Sequence, residues 1–111
     1  MRTLSPDPVT RLTGLLLCRR MVGKSLLEGT DPLKWRDLVA KHEASFTEED
    51  VKIVTDAARD QLDLALANRA TFRGLRETNP SDPRVLMGED FWQRSVDAAF
   101  NRLQFIFMFL T

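Results

Sequence analysis

The sequence predicts an all-α fold: four helices in an irregular antiparallel bundle, with a single turn at 83–87 as an optional fifth element. Three observations carry this. No stretch sustains the period-two alternation of a half-buried strand. Helix start signals recur, each a capping residue placed ahead of an apolar repeat. The apolar residues themselves fall at i, i+3, i+4 and i+7, which lines one face of a helix. With 111 residues, 1–111 reads as a single domain with room for a modest core.

The first helix, 8–27, opens on Asp7 as N-cap with Pro8 at the first helical position. Its stripe is Leu12, Leu15, Leu16, Val22, Leu26 and Leu27, interrupted by Arg19, and Gly29 ends it. Asp31-Pro32 starts the second helix, 32–43, by the same device, with Trp35, Leu38, Val39 and His42 inward. The third start is the clearest. Thr47 and Asp50 form an Asp variant of the capping box, and Phe46 and Val51 occupy the positions of a hydrophobic staple. That helix is expected over 48–73, about 39 Å at about 1.5 Å per residue, with Val54, Ala58, Leu62, Ala65, Leu66 and Phe72 inward. Acids crowd its first half and arginines its last turns, as the helix dipole favours. Asn79-Pro80-Ser81-Asp82-Pro83 reads as a loop. The last helix, 89–109, places Trp92, Val96, Ala99, Phe100, Leu103 and Phe107 on one face and becomes apolar all round beyond Gln104.

Charge and cysteine content narrow the function classes. The net charge is zero, so the basic surplus of a duplex-binding module is missing. Cys18 is the only cysteine, which rules out an intramolecular disulfide and suits a reducing compartment. No apolar run approaches the roughly 20 residues of a spanning helix. The Leu15-Leu16-Leu17-Cys18 string lacks the small residue of a cleavage site and is followed by two arginines, so no leader is read from it. A cytoplasmic protein without membrane attachment is expected.

The motifs that could carry chemistry each have a plainer reading. Gly23-Lys24-Ser25 has the end of a phosphate-binding loop, but Cys18 stands where its first glycine belongs and an amphipathic helix runs through it. His42 is the sole histidine and has no cluster of ligands around it. Cys18 lies among leucines, which favours packing over redox chemistry despite Arg19 and Arg20 beside it. Asp56, Asp60 and Asp63 make an acidic ridge that solvation explains. No enzyme, cofactor or metal is expected.

Two surfaces remain. Phe105, Ile106, Phe107, Met108, Phe109 and Leu110 are six consecutive apolar residues. Leaving them in water would forgo roughly 9–18 kcal/mol, comparable with the roughly 5–15 kcal/mol of net stability of a whole domain. They must be covered, by this chain's own core or by a second chain. Phe91 and Trp92 are adjacent and point about 100° apart, so one narrow core cannot take both. The interface expected is therefore Phe91, Trp92, Phe105, Phe107, Met108, Phe109 and Leu110. The function expected is a small non-enzymatic protein-binding regulator, a homodimer, for example an antiactivator that blocks a transcription factor's oligomerisation. The alternative is a helical subunit of a ribonucleoprotein or phage assembly. There Arg69, Arg73 and Arg76, on one helical face, with Arg19 and Arg20, would contact phosphate or an acidic partner.

Overall fold

A computed structural model of the chain describes residues 7–29, 31 and 33–111. Four α-helices follow one another, α1 (Pro8–Glu28), α2 (Leu33–Glu43), α3 (Glu48–Thr78) and α4 (Pro83–Phe105), and a π-helical turn, Ile106–Leu110, continues the last. No strand occurs among the described residues. The chain divides into two compact units. One reaches to Val54 and includes Phe109–Thr111; the other is Thr55–Met108.

In the first unit the N-caps act as expected. Asp7 accepts hydrogen bonds from the N–H groups of Val9 and Thr10 and from the Thr10 hydroxyl. These hold its carboxyl below the ordinary carboxylate range, the Thr10 hydroxyl most of all. Gly29 closes α1 in the left-handed region, at φ 73°. Ahead of α2, Asp31 accepts from the Leu33 N–H at 3.0 Å; Pro32, its expected first residue, lies outside the described residues. Leu12 and Leu15 are buried as the stripe requires, but Leu26 and Leu27 are exposed. Adjacent residues diverge by about 100°, so the repeat alone does not guarantee both a cover.

The turn into α3 is held from α1. Thr47 and Asp50 form the reciprocal capping box, each bond 3.2 Å. Arg11 reaches the same place: its guanidinium donates to the Ser45 carbonyl at 3.0 Å, pairs with Asp50 at 2.7 Å, and lies 5.0 Å from the centre of the Phe46 ring. The Arg11 hydrogen bond, seconded by the Thr47 N–H, holds the Asp50 carboxyl below its ordinary range.

In the second unit, α3 runs five residues beyond the expected 73. It stops where Asn79 donates its backbone and side-chain N–H groups to the Leu75 carbonyl, just before Pro80. At the other side of the loop α4 begins six residues earlier than the expected 89. Asp82 caps it by accepting from the Arg84 N–H at 3.0 Å, with Pro83 at the first helical position. The turn at 83–87 is therefore the start of α4 and no fifth element. Helix α4 also ends at Phe105, not 109, where the hydrogen bonding widens into the π turn.

Within this unit α3 and α4 pair in opposite chain directions: Gln61 with Arg102, Arg69 with Gln93, Arg76 with Glu89. Ala58 and Ala65 of α3 and Val85, Val96 and Ala99 of α4 are buried. Gly88 lets the helices close up, since a Cβ there would lie 2.2 Å from the Phe72 ring.

Two outcomes test this packing. Gly88→Ala should lower the urea midpoint, because overpacking costs about 1–3 kcal/mol and exceeds the helix-propensity gain of about 1 kcal/mol. In a Phe72→Ala background the same change should stabilise; destabilisation in both backgrounds would refute the clash. For Asp50, the folded pKa lies below the unfolded value of about 3.9, so its contribution is complete above that pH and fades as pH falls through the folded pKa. Acid unfolding followed by circular dichroism should be shallower in this range for Asp50→Asn.

Candidate protein-binding surface

The expected interface residues separate into three groups. Phe105 is only 7% exposed and belongs to the core with its neighbour Ile106. Adjacent side chains point about 100° apart, so burial of both means the helix is covered over a wide arc at this point. Phe105 is therefore not surface, contrary to the sequence expectation. Trp92 and Leu110 are half-buried. Phe91, Phe107, Met108 and Phe109 are exposed, Phe107 to 77%.

Local geometry explains the division. The Phe91 ring meets Trp92 edge to face, centroids 5.0 Å apart, so Trp92 turns inward and Phe91 remains outside. Phe107 was expected on the inner face with Val96 and Ala99. The π turn widens the helix and shifts its phase, and the side chain is turned outward. Phe100, at the margin of the same face, is also exposed. Phe109 belongs to the first unit, where the Arg19 guanidinium lies 3.9 Å above its ring. That arrangement is a cation–π contact.

The arginines expected to meet phosphate are mostly engaged within the chain. Arg69 and Arg73 donate to the Gln93 side-chain oxygen, at 3.0 and 3.5 Å. Arg73 and Arg76 both pair with one oxygen of Glu89, a side chain only 14% exposed. Arg19 pairs with Glu43. Arg20 is exposed. An open cleft of about 330 Å³ beside Arg73 and Arg76 is lined also by Glu89 and Asp90, so its charges balance. A second open groove, about 340 Å³, is lined by Val22, Val39, Ala40 and Arg36 with the Arg19–Glu43 pair.

The other candidates fall as follows. Gly23-Lys24-Ser25 lies inside α1, where the Lys24 ammonium is 3.8 Å from Glu28. Helical bonding occupies the backbone N–H groups that a phosphate cradle would need. His42 is half-buried and its Nδ1 has no hydrogen-bond partner. Cys18 is half-buried. Asp56, Asp60 and Asp63 are exposed. Among the described residues no group of three or more His, Cys, Asp or Glu side chains could hold a metal, and no helix is long and apolar enough to cross a membrane.

Sequence reasoning passed over Leu64, Leu75 and Met87, which are exposed. Leu64 and Leu75 are eleven residues apart and so stack on one side of α3, off the core stripe. That spacing was available as a signal.

Removing Glu89 should expose how much this unit relies on it. Glu89→Ala is expected to cost about 1.5–3 kcal/mol, the range for hydrogen bonds to charged groups. Denaturant titration of Glu89→Ala, Arg76→Ala and the double variant should give non-additive losses; additive losses would show that the two side chains act separately. No family model, curated protein or solved structure matches the chain.

Proposed function

We propose that this chain is a small non-enzymatic protein-binding regulator that works through an apolar helical surface, in the manner of an antiactivator occupying a partner's oligomerisation surface. A cytoplasmic location, an antiparallel bundle and a homodimeric state belong to the same reading. The observation that carries it is the outward placement of Phe107 and Met108 directly after the buried pair Phe105 and Ile106. An exposed apolar cluster anchored by buried neighbours is a rigid platform, the kind used when a helix is received in a groove. The nucleic-acid alternative ranks behind it, because Arg19, Arg69, Arg73 and Arg76 already hold acceptors of this chain.

Phe107→Asp and Met108→Asp should retain far-UV helicity yet lose partner capture from native lysate. Phe105→Asp, at a buried position, should unfold. Full capture by both folded variants would overturn the reading, and steeply salt-dependent binding to RNA or DNA would favour the alternative.

A further inference from the structure

The α3–α4 pair has two edges. Arg73 and Arg76 fill one, with Glu89 and Gln93 facing them. At about 100° per residue, Leu64, Ala67, Thr71 and Leu75 of α3 fall on the other. So do Met87, Phe91, Ser95 and Ala98 of α4, at i, i+4, i+8 and i+11. Met87 is 71% exposed and Phe91 61%, and Leu64, Ala67, Thr71, Leu75 and Ala98 are exposed as well.

We propose that this second edge is an interface between two copies of the chain, related by a two-fold axis that crosses α3 between Arg69 and Ala70. The proposal rests on the protein-binding reading above and names a second copy as the partner at this edge. Self-complementarity of size is the first argument. On α4 the large side chains, Met87 and Phe91, lie toward the α3–α4 loop and the small ones, Ser95 and Ala98, toward the other end; on α3 Leu64 and Leu75 stand at the two ends with Ala67 and Thr71 between them. Reversing one copy end for end lays Phe91 of each over the small residues around Ser95 of the other, as an isologous contact requires. Leu64 and Leu75 are equidistant from the axis, about 8 Å along the helix on either side. Leu64 of one copy therefore meets Leu75 of the second, twice.

Charge is the second argument. Asp60 is exposed at the end of this edge away from the loop. Arg84, with a side chain 92% exposed and only a 3.5 Å contact to Asp82, stands at the loop end of α4. The pairing of Arg69 with Gln93 and Arg76 with Glu89 puts Arg84 level with position 79 of α3, which the axis exchanges with Asp60. Each copy thus offers the α4 guanidinium at the level where the other offers a carboxylate on the adjacent α3, one helix spacing away. Area is the third. Taking about 150–250 Å² for a large side chain, the four partly exposed ones contribute roughly 400 Å² per copy. That is about half of the roughly 800 Å² a standard interface takes from each partner, and Ala67, Thr71, Ala98 and the Arg84–Asp60 rim extend it.

The test uses the full chain with Cys18→Ser. Leu64→Cys and Leu75→Cys variants, mixed under mild oxidation, should give a 64–75 intermolecular disulfide. Either variant alone should not cross-link, since like residues lie roughly 16 Å apart and a disulfide needs Cα atoms within about 7 Å. Sedimentation should show a dimer that Leu64→Glu and Phe91→Glu each weaken at least tenfold, with helicity retained. A monomer at high micromolar concentration, or a dimer without the 64–75 link, overturns the proposal. A dimer abolished by Phe107→Asp but indifferent to Leu64→Glu overturns it too, and leaves the regulator reading standing.

Discussion

Arg11 carries a full charge on a side chain left only 11% exposed, and the way that charge is satisfied holds the first unit together. A cation so nearly withdrawn from water needs partners at fixed positions; the two terminal nitrogens of Arg11 have them, and its buried Nε has none. The positions come from different parts of the chain: the Ser45 carbonyl in the turn, the Phe46 ring beside it, and the Asp50 carboxylate in the first turn of α3. Asp50 at the same time closes the capping box by accepting from the Thr47 N–H. One carboxylate thus starts a helix and ties it to another. Loss of the Asp50 carboxylate would remove both the Thr47 cap bond and the Arg11 ion pair, so helix initiation and tertiary docking are coupled at this residue.

The second unit solves a different problem, the close approach of two long helices. Gly88 removes the one Cβ that would strike the Phe72 ring. With the helices closed up there, small side chains, Ala58, Ala65 and Ala99, are buried beside Val85 and Val96. The same closeness lets Glu89 reach two arginines on α3 and Gln93 reach a third. A cluster that would look like an anion site in the linear chain is thereby turned largely to internal use. Several large apolar residues, Leu64, Leu75, Met87, Phe91, Phe107 and Met108 among them, are left exposed.

That arrangement leaves apolar side chains on the surface, and the proposed protein-binding role draws on them. Burying Ile106 and Phe105 holds the backbone of the turn, while Phe107 and Met108 face water. The backbone there has little freedom left to lose on binding, and the cost that remains is the ordering of the exposed side chains. The long edge of the α3–α4 pair has the same quality, with bulges and hollows set by helices already in register.

Local chemistry was enough to specify the starts of α1 and α3, though not that of α4. Asp7-Pro8, Thr47 with Asp50, and Asp82-Pro83 each act through neighbours one to three residues away. Asp82-Pro83 repeats the device of Asp7-Pro8, but in a run rich in proline and serine it reads as loop, which puts the expected start of the helix only at 89. The all-helical class and most of the core stripes, from Leu12 and Leu15 to Val96 and Ala99, followed from periodicity for the same reason. Periodicity gives the direction of a side chain about its own helix and says nothing of whether a neighbour stands there. So Leu27, Phe100 and Phe107 proved exposed, Phe105 proved buried, and the arginines found Glu89 and Gln93 across the hairpin. Those outcomes depend on pairs separated by 20 or more positions, such as Arg73 with Gln93, and only the folded chain brings such pairs within reach.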